Sequence, residues 1–252
     1  MDFENIKNQM ITFLKSEANR IGVSNVVLGI SGGLDSAIVA VLCKEAFGDN
    51  LLGVFMPSHL SSDASIEDAK KLCEKFDIKY EIVEIAPMVH GYFNNVKDPT
   101  PLRIGNFSAR VRMAVLYDIS AKENAIVVGT SNKSEILLGY GTHYGDTACA
   151  INPLGMMYKS DEFEFAKYLG VIDEIIEKKP SADLWEGQSD EEELGYSYKI
   201  MDDMLKKLVD QKIPKDQLIK TENGKNLIDM LEYRIKSNAF KGQLPIIANI
   251  KF

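Results

Sequence analysis

The stretch Val26-Val27-Leu28-Gly29-Ile30-Ser31-Gly32-Gly33-Leu34-Asp35-Ser36 decides the fold. Val26 to Ile30 is a short run rich in β-branched side chains, which predicts a buried strand. It stops at Ser31-Gly32-Gly33, and helical spacing follows at once with Leu34, Ile38, Val41 and Leu42. A strand that turns directly into a helix aims the helix's unpaired N–H groups and positive dipole end at whatever lies beyond the turn. The adjacent glycines allow positive φ and let a ligand approach the backbone without a Cβ in the way. Ser31 and Ser36 add hydroxyl donors. Asp35 would repel a bare phosphate, so its place beside an anion site suggests a bridging Mg²⁺. The chemistry implied is pyrophosphate binding.

Other readings of the turn compete with this one. No GxxxxGK[ST] occurs, so it is not a Walker A loop. Gly29-Ile-Ser31-Gly-Gly33 matches GxSxG, with Ser31 as an exposed nucleophile. A hydrolase of that kind needs several strands before the elbow and a late histidine. Here one strand precedes it, and the last of three histidines is His143. A plain glycine turn, with Asp35 and Ser36 serving the helix start, is the structural alternative.

Outward from the turn, residues 2–21 carry Phe3, Ile6, Met10, Phe13, Leu14 and Ile21 as one helical stripe. Strands are expected at Leu51–Met56 (stopped by Pro57), at the alternating Tyr80–Ile85 and at Ala125–Gly129. Ser61 and Ser62 offer caps for a helix with Ile66, Ala69, Cys73 and Phe76. A loop holding Pro99, Pro101 and Gly105 precedes another, with Phe107, Val111, Ala114, Val115 and Asp118. Strand–helix alternation predicts an α/β fold, a parallel sheet with helices on both faces and right-handed crossovers. Ligands of such sheets sit beyond the carboxyl ends of the strands. That puts the Ser31–Ser36 turn, the Pro57 loop and the Thr130 loop along one edge. Gly139 to Pro153 reads as a loop, and the chain beyond Ser160 as mostly helical, with a long loop near Pro180. No Pro/Gly/Ser linker divides it, so residues 1–252 are expected to be a single domain.

Composition narrows the function classes. Of 252 residues, 29 are basic and 37 acidic, a net charge of −8 that argues against broad nucleic-acid binding. Cys43, Cys73 and Cys149 are odd in number, with no CxxC, as suits reduced thiols in a cytoplasmic protein. No apolar run reaches the ~18 residues a membrane span needs. Met1-Asp2-Phe3-Glu4 shows no signal-peptide pattern.

Downstream segments add chemistry. Asn106 and Arg110 are one helical turn apart, and a guanidinium fork beside an amide suits a carboxylate or phosphate, although a solvated polar face has the same spacing. Asn132 and Glu135 have capping-box spacing, yet a carboxylate at this strand edge can meet the same Mg²⁺ as Asp35. Gly139-Tyr-Gly-Thr-His143-Tyr-Gly-Asp146 reads as a substrate cover ending in an acid. For the acidic run Asp190–Glu193 the bland reading is preferred: Ser189 caps a helix and pairs with Glu192 in a capping box.

Ser31-Gly-Gly-Leu-Asp-Ser36 resembles the SGGxDS loop of the ATP pyrophosphatase (adenine nucleotide α-hydrolase-like) superfamily, whose members cleave ATP between the α and β phosphates. The ordered set that follows resembles the short, ammonia-dependent NAD synthetases. It comprises Asn106 to Arg112, Thr130 with Glu135, Tyr144-Gly-Asp146, Lys159 after Pro153-Leu154, Pro180-Ser-Ala-Asp-Leu184, and Asp190-Glu-Glu-Glu-Leu-Gly195. The resemblance runs nearly the whole chain and implies a Rossmann-like fold with a helical C-terminal part.

The resemblance further implies that Gly29, Ile30, Ser31, Gly32, Gly33, Leu34, Asp35 and Ser36 cradle ATP, with Thr130, Lys159 and Ser181 as further ATP contacts. Asp35 and Glu135 would hold Mg²⁺. Asn106, Arg110, His143, Asp146 and Lys241 would meet deamido-NAD, with Asp146 and Lys159 the catalytic candidates. Three positions depart from the family: His143 stands where Lys is usual, Ala150 where Asp is, and Phe240 in place of the His of a His-Lys pair. The implied reaction amidates deamido-NAD with ammonia at the expense of ATP, in a homodimer without a glutaminase domain. Rival classes are a tRNA-modifying relative, which needs a basic face and paired cysteines, and a nucleotide sensor without turnover.

Overall fold

The computed structural model describes residues 1–59, 61–181, 189–245 and 247–250. Its centre is strand β1 (Asn25–Gly29), every side chain of which is at least half-buried. Flanking it are β2 (Leu51–Phe55) on one side and β4 (Ala125–Val127) on the other, with β3 (Lys79–Ile82) beyond β2. All pairings are parallel, with Val26 opposite Leu51 and Ile126, and Gly53 opposite Tyr80. Helix α1 (Phe3–Ile21) precedes the sheet. α2 (Leu34–Phe47) connects β1 to β2, α3 (Asp63–Lys75) connects β2 to β3, and α4 (Ala86–Phe93) with α5 (Pro101–Lys122) leads to β4.

The period of two along β1 divides the core between the sheet's faces. Val26 and Leu28 pack with Leu14, Ile38, Leu42, Leu72 and Phe165. Val27 points the other way, among Val54, Met56, Val89, Ile119 and Val127. Helices therefore cover both faces, as continuous apolar runs in parallel strands require. α2 is buried on nearly every side from Leu34 to Cys43, and Asp35 is the half-buried exception. A third cluster joins α6 (Lys133–Leu138), α9 (Asp190–Leu194), α10 (Tyr198–Leu205) and α12 (Glu222–Asn238) through Leu138, Tyr158, Leu194, Tyr198, Met201 and Leu231. This helical C-terminal part sits against α6 and α7 (Lys159–Leu169), beside the end of β4.

Several local expectations need correction. Pro101 and Gly105 lie inside α5: Thr100 caps it, accepting from Arg103 N at 3.4 Å, and Pro101 takes the first helical position, where its missing N–H costs nothing. α4 fills a stretch for which no helix was expected; its Pro87 likewise sits in the first turn. Ser189 makes no side-chain cap to α9, so the proposed capping box with Glu192 is absent. Asp190 is buried instead of solvated, because the Tyr140 hydroxyl donates to it at 3.0 Å. β4 is shorter than expected, although Val128 still donates to Val27 O at 3.0 Å and bridges to Ile151.

Candidate active site

The glycine turn emerges from β1 with Ile30 N donating to Val54 O at 3.0 Å. Gly32 has φ +78°, and a Cβ built there would stand 2.1 Å from Ser65 O of α3, so only glycine fits. Inside the turn, Ser31 N donates to Ser36 Oγ (3.2 Å), Ser36 Oγ to Gly33 O (3.0 Å) and Gly33 N to Ser31 Oγ (3.2 Å). No side chain caps α2 at Gly33.

Asp35, in the first turn of α2, faces Asn132 and Lys159. Asn132 Nδ2 donates to Asp35 Oδ1 at 2.7 Å, and the Lys159 ammonium pairs with Asp35 Oδ2. Asn132 also heads α6 in a reciprocal capping box: its Oδ1 accepts from Glu135 N (3.0 Å), and Glu135 Oε2 accepts from Asn132 N (3.1 Å). The box is therefore real, and it aims Glu135 toward Asp35. Lys159 opens α7 and is buried; its N–H donates to Ser134 Oγ at 3.0 Å. Ser134 Oγ donates to Asp202 Oδ1 at 2.6 Å, and Ser160 N to Asp202 Oδ2 at 2.8 Å. Asp202 thereby locks α6, α7 and α10 behind the lysine.

One turn along α7, the fully buried Glu162 has Oε2 3.4 Å from Lys159 Nζ. Among the described residues no hydrogen-bond partner reaches either of its oxygens. Burial would raise Asp35, but the Lys159 charge beside it, with the hydrogen bond from Asn132, brings it below the ordinary carboxylate value. Burial and then the Asp35 charge lift Glu135 well above that value, and the same two causes act on Glu162. Burial would strip Lys159 of its proton, but Asp35, Glu162 and Glu135 together raise its proton affinity, so it stays cationic. The cluster is one of oxygen donors around a single ammonium. Both oxygens of Asp35 are engaged, one by Asn132 and one by Lys159, and Glu135 feels the Asp35 charge. Carboxylates are the hard oxygen donors a divalent cation takes, so these two would hold one only once Lys159 gives way. Among the described residues no group of three or more acidic, His or Cys side chains forms a metal cage.

A second group gathers on the Gly139–Asp146 loop. Thr142 Oγ1 donates to Asn106 Oδ1 (2.8 Å), Arg110 Nε to His143 O (3.3 Å), and Thr142 N to Asp146 Oδ1 (2.9 Å). Lys241 Nζ reaches across to Gly139 O (2.7 Å) and Gly141 O (3.1 Å). The His143 ring lies 3.8 Å from that of Tyr144 and 5.4 Å from that of Phe240. Two of the departures from the family pattern, His143 and Phe240, are thus in contact with each other. Asp146 is exposed as a residue, but the loop folds over its carboxyl group, and that burial raises its proton affinity. Its charge is felt at Glu135. Half-buried Thr130 follows β4, and Ser181 is exposed just ahead of residues 182–188. The Ala182-Asp-Leu184 part of the Pro180 motif lies outside the described residues. A methionine-lined cavity of about 580 Å³, bounded by Met1, Met10, Met156, Met157 and Tyr158, holds none of these groups.

The NAD synthase family model matches residues 6–245. The chain belongs to the NAD synthase family. It is 52% identical over 244 residues to the NH₃-dependent NAD⁺ synthetase of Wolinella succinogenes, covering 97% of this chain and 95% of that one. The NH₃-dependent NAD synthetase structure from Campylobacter jejuni, in complex with nitrate, superposes with a TM-score of 0.83 at 40% identity over 99% of this chain and all of that one. NMN synthetase from Francisella tularensis gives a TM-score of 0.88 at 29% identity, with the same coverage. The α/β adenine nucleotide α-hydrolase-like fold expected from the turn is the fold found.

Within this NAD synthase, three site groups escaped sequence reasoning. Asn132 was read only as a cap, because spacing shows its carbonyl partner but not the second use of its amide. Glu162, three residues from Lys159, reads as half of an ordinary surface pair; only packing reveals its burial. Thr142 carried no signal beyond its place in the loop.

Proposed function

We propose that the chain catalyses the ATP-dependent amidation of deamido-NAD by ammonia, giving NAD, AMP and pyrophosphate. The observation that carries this reading is the uncapped start of α2 with Asp35, Asn132 and Lys159 converging on it. The nicotinate carboxylate attacks the α-phosphorus, the α–β anhydride breaks, and pyrophosphate leaves as the acyl-adenylate forms. Ammonia then adds to the acyl carbon, the acyl–oxygen bond breaks, and AMP departs carrying the carboxylate's bridging oxygen. No protein nucleophile is needed. The turn's N–H groups and the helix dipole meet the departing pyrophosphate, and Lys159 exchanges Asp35 for a phosphoryl oxygen as charge develops. Ammonia is mostly ammonium near neutral pH, so an acceptor for its proton is required. Asp146, with raised proton affinity, takes that role.

Asp35 and Glu135 would hold Mg²⁺, which supplies charge neutralisation on the phosphates. Thr130 and Ser181 are assigned to ATP, and Asn106, Arg110, His143 and Lys241 to deamido-NAD. We further propose that residues 1–252 act as one catalytic domain, working in the cytoplasm as a homodimer.

The test incubates the protein with ATP, Mg²⁺, deamido-NAD and ammonium, scoring NAD, AMP and pyrophosphate. Release of ADP and phosphate, or amination of xanthosine monophosphate in place of deamido-NAD, overturns the reading. The likeness in shape to an NMN synthetase favours a second reading, the same chemistry on nicotinate mononucleotide. Comparing kcat/KM for the two carboxylates decides between them, and the identity to dinucleotide-using relatives supports deamido-NAD.

A further inference from the structure

Lys178 lies in the segment that leaves α8 (Asp173–Ile176) and leads through Pro180 to Ser181. Its Nζ stands 2.6 Å from Asp68 Oδ2 on α3, 3.3 Å from Gly32 O and 3.4 Å from Ser65 Oγ. The Asp68 side chain is only 10% exposed and that of Lys178 30%, so the contact is made largely out of water. Gly32 also packs directly on the first turn of α3, with its absent Cβ 2.1 Å from Ser65 O and φ at +78°. The residue is therefore held by its Cα against α3 and by its carbonyl to the lysine.

Peptide planarity turns this grip into an orientation. In a trans peptide the C=O and the following N–H point in opposite directions. Holding Gly32 O on the Lys178 side fixes Gly33 N–H on the other, at the open start of α2, where it now meets Ser31 Oγ at 3.2 Å. A cation on the carbonyl also polarises that N–H toward a stronger donor.

We propose that Lys178 is a positioning residue for the nucleotide: it sets the Gly32–Gly33 peptide so that the Gly33 N–H is presented to the pyrophosphate portion of ATP. The same bond ties the chain leading to Ser181 to the turn, so two segments assigned to ATP move as one. This rests on the amidation reading above.

The test uses Lys178→Met, which keeps the length of the side chain and removes its charge and donors. Asp68 is then not stranded, since Lys71 Nζ lies 3.9 Å from its Oδ1. Calorimetric titration with inorganic pyrophosphate and Mg²⁺ is read beside steady-state kinetics and thermal melting. The affinity for pyrophosphate falls about tenfold and KM for ATP rises by about as much, the loss of one well-aimed bond to an anion. KM for deamido-NAD and Tm stay at the unaltered protein's values. Asp68→Asn, which removes the lysine's strongest partner, moves KM for ATP in the same direction. Pyrophosphate affinity unchanged in both variants overturns the proposal. So does a parallel loss of Tm and of both KM values, which marks a merely structural ion pair. An unaltered protein that binds pyrophosphate yet makes no NAD refutes the amidation reading and leaves this one standing.

Discussion

Replacing Gly32 with alanine isolates the close approach on which the phosphate site depends. The added Cβ meets two separate costs. Alanine in the left-handed region costs about 1–2 kcal/mol. The clash with Ser65 O, at 2.1 Å, forces the turn and α3 apart by close to 1 Å. Such overpacking costs typically about 1–3 kcal/mol more. In a domain of this size roughly 2–4 °C of Tm is lost per kcal/mol, so Gly32→Ala melts about 4–20 °C lower. Gly22→Ala is the control: φ is +85° but nothing lies within 4 Å, so only the first cost applies, about 2–8 °C. Thermal unfolding by circular dichroism gives both shifts, and pyrophosphate titration reports the turn itself. Gly32→Ala should lose measurable pyrophosphate affinity while Gly22→Ala keeps it. A Gly32→Ala protein that melts like the control and binds pyrophosphate normally refutes the proposed packing of the turn.

Other consequences can be checked alongside. Lys159→Met removes the only ammonium pairing with Asp35 and Glu162 among the described residues, so adenylation is abolished and unfolding in urea shows a loss of about 3–5 kcal/mol. Asp202→Ala frees Ser134 Oγ and Ser160 N, costs about 1–3 kcal/mol, and raises KM for ATP through a looser Lys159. Burial would raise the Asp210 carboxyl, but Lys133 at 2.7 Å and the Tyr158 hydroxyl at 2.9 Å hold it below its ordinary value. Its contribution is thus complete above the ordinary carboxylate range and is lost as pH falls through the lowered value. Asp210 is more than a third exposed, so the loss is under about 1 kcal/mol. The stability difference between the protein and Asp210→Asn, by urea unfolding, should shrink between pH 5 and pH 2.5.

How much of this was legible in the sequence depended on the range of the interaction. Val26–Ile30 followed by two glycines specifies strand, turn and helix from local chemistry, and the alternation of strands and helices leaves few topologies. A parallel sheet with helices on both faces followed from those rules, whereas the strand order, with β1 between β2 and β4, came only from the structure. Ser189 makes no side-chain cap, and Asp190 is buried with a hydroxyl donating to it from Tyr140, fifty positions away, a contact that leaves no spacing signal. Asn132 and Glu135 were readable as a box, since capping is local, but the amide's bond to Asp35 spans 97 positions and leaves no spacing signal. Glu162 and Lys178 were invisible for the same reason: each acquires its meaning from packing against segments far along the chain.

Transfer of oxygen from the substrate carboxylate to AMP tests the central claim most directly. With deamido-NAD labelled with ¹⁸O in its carboxylate, attack on the α-phosphorus at the glycine turn places one labelled oxygen in AMP and none in pyrophosphate. Label in pyrophosphate, or unlabelled AMP alongside newly formed NAD, contradicts the account.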